Sequence, residues 1–162
     1  MRFILFFLLI VSNNLFAQQN SNYSVIKYSN CKINDTHIDS INATWLVSNK
    51  GKPTKVTTYI SDYNFKKIKR IYYKKNYFDF VNGTLLYFCL VDTNFYFTRF
   101  KLSVGDSEKK LKKIFPTSFS EGKSGDSYKI MVDCENTGKY IIFEVKKKKI
   151  AYTCFYSLMI RV

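Results

Sequence analysis

The dipeptide Asn82-Gly83 is the feature that most constrains the fold of this chain. It stands between two runs of β-branched and aromatic residues, Tyr77 to Val81 and Leu85 to Val91. Asn and Gly both tolerate the positive φ angles that a type I′ turn requires. The sequence therefore predicts a β-hairpin over residues 77–91, and with it an antiparallel sheet.

Further strands are predicted on both sides of this hairpin. They lie at residues 23–28, 56–60, 70–73 and 95–102, and in a C-terminal meander at 128–134, 139–145 and 150–156. Both alternating sets of positions carry aromatic side chains, since Phe78 and Phe80 interleave with Tyr77. Such a sheet is either covered on both faces or offers one face to a partner.

One helix is predicted at residues 106–115. Asp106 or Ser107 supplies the N-cap, and Leu111, Ile114 and Phe115 form an apolar face among four lysines. Pro116 ends this helix, because proline disfavours helical geometry in the residue before it. A polar loop is expected over residues 117–127.

Residues 35–48 fit two structures. A helix would have Thr36 as N-cap, Asp39 as the capping-box acid and Gly51 as stop signal. A strand would have Ile41, Ala43, Trp45 and Val47 on one face. The cap and stop signals favour the helix.

These elements predict an α+β fold with a mostly antiparallel sheet and two helices on one face. Each helix is followed by several strands, which is compatible with two tandem helix-plus-meander repeats at residues 30–97 and 98–162. No linker-like segment divides the chain, so a single domain is expected.

The N-terminus has the pattern of a signal peptide. Arg2 precedes an apolar run from Phe3 to Val11, and Ala17 is a suitable cleavage position. We therefore expect residues 1–17 to be removed, leaving a single secreted α+β domain at 18–162. The apolar run is too short to span a bilayer, so no transmembrane segment is expected after cleavage, and the predicted location is secreted or periplasmic.

The chain is strongly basic. Its 26 Lys and Arg residues exceed its 12 Asp and Glu residues, and removal of Arg2 would lower the net charge from +14 to +13. This excess favours acidic partners in general and does not choose among them. For an exported chain we expect a protein or an acidic envelope component as partner, and nucleic acid is not expected. A lysine-rich composition also arises in AT-rich genomes without any ligand. The oligomeric state is left open.

Four cysteines follow the predicted cleavage position: Cys31, Cys89, Cys134 and Cys154. An even number in an exported chain favours two disulfides, with three possible connectivities. Cys134 and Cys154 flank the middle strand of the meander, so they would lie about 9.6 Å apart, beyond disulfide reach. Either the turn after Cys134 curls over, or these cysteines have partners elsewhere, for instance Cys31, so the pairing is left open. No metal site is predicted, because no Cys-x-x-Cys motif occurs and His37 is the only histidine.

No catalytic residues and no cofactor are predicted. His37 lies between Asp35 and Asp39, but charged residues at that spacing are typical of helix capping. No glycine-rich phosphate loop occurs. An enzyme of unrecognised type remains an alternative.

The most distinctive basic stretch combines cations with tyrosines. The candidate binding residues are Lys66, Lys67, Lys69, Arg70, Tyr72 and Tyr73. Cations beside exposed rings bind acidic ligands through charge and stacking. The alternative is a solvated edge strand, in which lysines prevent edge-to-edge association.

A family resemblance rests on two motifs. A capped helix closing on Gly51-Lys52-Pro53 is followed by a meander with the pattern Phe80-x-Asn82-Gly83-x-Leu85-x-x-Phe88. This arrangement resembles the SmpA/BamE-like outer-membrane assembly proteins, and its paired form resembles the β-lactamase-inhibitory-protein-like modules. The resemblance implies an α+β module that binds other proteins and lacks catalytic residues.

The leading hypothesis is therefore an exported binding module for an acidic protein or envelope component. The alternative is an inhibitor or immunity-type protein that plugs a target enzyme with a rigid exposed loop. Residues 61–69 and 117–127 are the candidate loops.

Overall fold

The computed structural model describes residues 23–61, 66–123, 125–135 and 137–157. The predicted signal peptide, residues 1–17, lies outside these ranges, as does most of the connection between Ser61 and Lys66.

Twelve strands and three helices are found in the described part of the chain. The strands are β1 (Ser24–Ile26), β2 (Lys32–Ile33), β3 (Thr36–His37), β4 (Lys55–Ile60), β5 (Lys67–Tyr73), β6 (Asn76–Val81), β7 (Thr84–Leu90), β8 (Tyr96–Phe97), β9 (Leu102–Ser103), β10 (Ser127–Cys134), β11 (Lys139–Lys146) and β12 (Lys149–Ser157). The helices are α1 (Ala43–Lys50), α2 (Glu108–Ile114) and α3 (Pro116–Gly122). None of these helices is long and apolar enough to cross a membrane.

The strands form two sheets. The large sheet has eight strands in the order β1-β10-β11-β12-β7-β6-β5-β4, and the small sheet has the order β3-β2-β8-β9. Only the pairing of β1 with β10 is parallel among these strands. The fold is thus α+β with mostly antiparallel sheets, as the sequence predicts.

The predicted hairpin is confirmed. Asn82 and Gly83 connect β6 to β7 with φ angles of 50° and 81°. Both values lie in the left-handed region that a type I′ turn requires. The C-terminal meander is also confirmed, because β10, β11 and β12 follow one another as antiparallel neighbours.

The helix predicted at 106–115 is present as α2. Ser107 is its N-cap and accepts a hydrogen bond from the Lys110 backbone N–H. Asp106 instead forms an ion pair with Lys110, at 2.8 Å between Oδ2 and Nζ. Of the two predicted caps, Ser107 is therefore the correct one.

The helix predicted within 35–48 is partly wrong, because α1 begins only at Ala43. Its N-cap is Asn42, whose Oδ1 accepts a hydrogen bond from the Trp45 backbone N–H at 2.9 Å. Thr36 belongs to β3, which pairs with β2 across a tight turn. Asn34 and Asp35 form that turn with φ angles of 46° and 65°. The missed signal is the Asn34-Asp35 dipeptide, since both residues tolerate positive φ.

The single strand predicted at 95–102 is wrong. A short 3₁₀ turn at Thr98–Phe100 interrupts it, and Lys101 adopts a φ of 49°. The chain therefore reverses, and Phe97 pairs with Leu102. Phe95, Phe97 and Leu102 are all buried in the core. Burial of these side chains therefore favours the chain reversal over the continuous strand that their alternation predicts.

The polar loop predicted at 117–127 is also wrong, since its first half is helix α3. Pro116 occupies the first helical turn, where its missing N–H costs nothing. Phe119 is buried, and its ring meets that of Tyr128 edge-on at 5.9 Å. One apolar residue in a polar segment thus anchors a short helix on β10.

The two faces of the large sheet differ in chemistry. One cross-strand row contains Ile71, Phe78, Phe88, Phe155 and Ile141. All five side chains are buried, and they share one core with Leu46, Leu111 and Phe119 of the three helices. We call this side the phenylalanine face. The alternate positions include Tyr72, Tyr77, Tyr87 and Tyr156 and form the other side, which we call the tyrosine face.

Candidate functional site: the tyrosine face

A row of four tyrosine rings crosses the middle of the tyrosine face. Tyr72, Tyr77, Tyr87 and Tyr156 lie on the neighbouring strands β5, β6, β7 and β12. Successive ring centroids are 5.9, 5.6 and 4.7 Å apart. These separations are those of favourable aromatic pairs. Tyr156 keeps 40% of its surface exposed, so the row ends at solvent.

Arg70 lies on this face and is fixed by Asp79. Its Nε and Nη2 atoms donate to the two carboxylate oxygens of Asp79 at 2.6 and 2.7 Å. The guanidinium carbon lies 4.1 Å from the ring centroid of Tyr77 and 5.1 Å from that of Tyr59. The hydrogen bonds to Asp79 raise the pKa of Arg70 above its ordinary value. Arg70 is therefore a permanent cation that positions the surrounding rings.

Two lysines extend the positive charge of the tyrosine face. Lys55 Nζ lies 5.9 Å from the ring centroid of Tyr72, and Lys146 Nζ lies 5.6 Å from that of Tyr152. Lys146 also pairs with Glu144 at 2.7 Å. Lys55 thus adds a cation at the Tyr72 end of the aromatic row, and Lys146 adds one beside Tyr152 of the same face.

A hydrogen-bond chain runs from the tyrosine row to two thiols. The Tyr77 hydroxyl donates to the Tyr87 hydroxyl at 3.3 Å, and Tyr87 donates to Cys154 Sγ at 3.2 Å. The Cys154 thiol in turn donates to Cys89 Sγ at 2.7 Å. This last bond lowers the pKa of Cys89, against the opposing effect of burial. Cys89 is thus the acceptor at the end of the chain.

A second basic feature is a cleft of about 320 Å³ beside the C-terminus of α1. Its lining comprises Lys50, Lys52, Thr54, Tyr73, Lys74, Asn94 and Phe95. Lys50 Nζ donates to the Asn94 carbonyl at 2.9 Å and lies over the Phe95 ring. Burial lowers the pKa of Lys50. We call this feature the lysine cleft, and its three ammonium groups suit an acidic group.

The predicted binding residues do not form one surface. Lys67, Lys69 and Tyr73 share the parity of Ile71 on the phenylalanine face, whereas Arg70 and Tyr72 lie on the tyrosine face. Tyr73 is buried and donates to the Gly51 carbonyl at 3.0 Å, which places it in the lysine cleft. Lys66 precedes β5 and is half-buried. Because successive side chains of a strand point to opposite faces, the predicted binding residues are divided between the two faces of the sheet. Binding by these residues stays a prediction.

His37 has a structural environment. Its Nδ1 accepts from the Asp39 backbone N–H at 3.3 Å, which leaves Nε2 to donate to the Tyr28 carbonyl at 3.1 Å. Asp39 binds Lys139 at 2.6 Å and accepts from the Tyr28 hydroxyl. Burial works to raise the pKa of Asp39, but the hydrogen bonds from Lys139 and Tyr28 outweigh it and lower that pKa.

Sequence reasoning missed Tyr77, Tyr87 and Tyr156, which are three of the four tyrosines of the aromatic row. The available signal was the parity of the strands, because tyrosine and phenylalanine alternate at Tyr87-Phe88 and Phe155-Tyr156. Of the two predicted inhibitory loops, residues 62–65 of the first lie outside the described ranges, and residues 117–122 of the second are helical.

Comparison with protein-family models, curated proteins and solved structures finds no match to this chain.

Proposed function

We propose that this chain is an exported binding module that recognises an acidic segment of another protein through its tyrosine face. The observation that carries the proposal is the row of four tyrosine rings, with Arg70 seated over one of them, Tyr77. Tyrosine and arginine are enriched among residues that dominate binding energy, because they give a large contact area together with polar groups.

The charge of the chain supports an acidic partner. The net charge is +14, and Asp79 and Glu144 of the tyrosine face are each paired with a cation. An acidic segment would therefore meet a positive field as it approaches. The lysine cleft adjoins this face along the chain, since Thr54 of the cleft precedes Lys55.

The pairing at the centre of the large sheet supports two tandem repeats at 30–97 and 98–162. Here Cys89 of the first repeat lies opposite Cys154 of the second. A two-fold axis between duplicated halves would place equivalent residues opposite each other in this way. The resemblance to paired inhibitory modules remains a prediction of the same kind.

Fluorescence anisotropy with labelled poly-L-glutamate tests the proposal. Tyr156→Ser removes one exposed ring from the tyrosine face, and Tyr96→Ser removes a ring of similar exposure from the small sheet, at 40% and 37% exposure respectively. We expect Tyr156→Ser to weaken binding by about fivefold or more, since losing an important interface side chain costs about 1 kcal/mol or more. Tyr96→Ser should bind as the parent chain does.

Equal binding by both variants would refute the proposal, because attraction would then depend on net charge alone. Vesicles containing phosphatidylglycerol provide a second probe. Stronger binding to these vesicles than to poly-L-glutamate would replace the acidic protein with an anionic lipid surface as the ligand.

A further inference from the structure

Cys89 and Cys154 are directly opposite each other on β7 and β12. Their Sγ atoms lie 2.7 Å apart, and both residues are buried beneath the tyrosine row. Directly opposed residues of antiparallel strands have Cβ atoms roughly 4.5–5.5 Å apart, close to the separation that a disulfide spans. Little backbone movement is therefore needed to join these two sulfurs.

Cys31 and Cys134 form a second adjacent pair. A short 3₁₀ turn at Tyr28–Asn30 follows β1 and brings Cys31 back over the end of β10, where Ile26 is paired with Cys134. Both cysteines are fully buried. The hydrogen bond to the Cys31 thiol is the main cause that raises the pKa of Cys134, followed by burial. Both cysteines belong to the same buried core cluster, to which Cys89 and Cys154 do not belong.

The large sheet separates the two pairs. Cys134 shares the parity of Val132 on the phenylalanine face, whereas Cys154 shares the parity of Tyr156 on the tyrosine face. A bond between the pairs would have to cross the sheet. Of the three connectivities that four cysteines allow, only one joins neighbours on the same face.

We propose that the mature protein carries two disulfides, Cys89–Cys154 and Cys31–Cys134. The first joins the central strands of the two halves of the sheet. The second ties the N-terminal segment to the meander. The assignment does not rest on the proposed function, only on exposure of the chain to a disulfide oxidant.

The oxidant is an external disulfide, either glutathione disulfide or a thiol–disulfide oxidoreductase. The Cys89 thiol loses its proton, and its thiolate attacks the external disulfide, which releases one thiol and leaves a mixed disulfide. Cys154 then loses its proton and attacks Cys89 Sγ, which forms the protein disulfide and releases the second thiol. Two electrons and two protons pass to the oxidant for each bond formed. The same balance holds for Cys31 and Cys134.

Peptide mapping tests the assignment. The purified full chain is equilibrated with a mixture of reduced and oxidised glutathione, denatured, alkylated and weighed by mass spectrometry. We expect no alkylated cysteine and a mass lower by four hydrogen atoms than that of the reduced chain. Proteolysis without reduction should yield one peptide pair linking Cys89 to Cys154 and another linking Cys31 to Cys134.

Two variants separate the bonds. Cys89→Ser should leave Cys154 alkylated or bound to glutathione while Cys31–Cys134 still forms, and Cys31→Ser should give the converse. Four alkylated cysteines in the parent chain, or any link between the two pairs, would overturn the assignment. Formation of only one bond in the parent chain would overturn the assignment of the other.

Discussion

Replacing Phe88 with alanine should destabilise the whole protein by about 3–5 kcal/mol. Phe88 is completely buried on β7, and its ring centroid lies 5.7, 6.4 and 5.2 Å from those of Phe78, Phe97 and Phe155. The neighbouring rings come from β6, β8 and β12, so Phe88 contacts both halves of the fold. Removing it loses both apolar burial and the pairing of rings, and leaves a cavity that a rigid sheet fills poorly.

Urea unfolding measures this loss. Fluorescence of the single tryptophan, Trp45 in α1, reports the unfolding of the N-terminal half of the chain, and far-UV circular dichroism reports the loss of secondary structure in the whole chain. With a slope of about 2 kcal/mol per M, the midpoint of Phe88→Ala should fall by roughly 2 M. Both probes should give the same midpoint, because one core serves both halves.

A matched control lies in the same cross-strand row. Val56 on the edge strand β4 has 47% of its surface exposed, so Val56→Ala should cost less than about 1 kcal/mol. A loss below about 1 kcal/mol for Phe88→Ala, or separate midpoints for the two probes, would refute the idea of a single shared core.

Two further predictions concern a helix end and an ion pair. Gly122→Ala should lower stability by about 1–3 kcal/mol, since the added Cβ would lie 2.3 Å from the Lys129 carbonyl oxygen. A thermal melt checks this against Ser120→Ala in the same helix, and a gain in stability, which Gly to Ala usually gives in helices, would contradict it. Asp39→Asn should make the free energy of unfolding fall less steeply in acid. In the parent chain the pKa of Asp39 is lower in the folded state than its ordinary value of 3.8, so the carboxylate adds stability above pH 3.8. This added stability disappears as the pH falls through the folded-state pKa. Urea midpoints measured between pH 2 and 6 in steps of ~1 pH unit should show the change, and Asp126→Asn, at an exposed position, is the control. Parallel pH profiles for the parent chain and Asp39→Asn would disprove this role of Asp39.

Local signals were sufficient where the turn itself determines the pairing. Asn82-Gly83 predicts its hairpin because two adjacent residues accept positive φ between strand-forming runs. The cap at Ser107 predicts α2 for the same reason, since the hydroxyl satisfies a backbone N–H within the helix's own first turn. Neither feature needs a distant partner.

Predictions failed where distant contacts determine the local structure. Thr36 has the signature of a helix cap, but the pairing of Ile33 with Phe97 places the preceding segment in the small sheet, so the helix starts later. Residues 95–102 have the alternation of a strand, but burial of Phe97 and Leu102 on the same core favours a reversal. The backbone hydrogen bonds that a continuous strand would form at residues 98–101 are lost, and the burial of apolar side chains offsets that loss. A single sequence does not specify which distant residues will meet.

Whether a strand position carries tyrosine or phenylalanine indicates which face of the large sheet is in contact with solvent. Strand β6 reads Tyr77-Phe78, β7 reads Tyr87-Phe88, and β12 reads Phe155-Tyr156. Phenylalanine needs no hydrogen-bond partner and suits a dry core, whereas each tyrosine hydroxyl needs a partner or water. A sheet covered on both faces would have to satisfy every hydroxyl internally, which favours phenylalanine at both parities. In these three strands the hydroxyls share one parity, whereas Tyr73 and Tyr128 of the phenylalanine face are buried and bind protein acceptors, which argues that the tyrosine face is the side open to water.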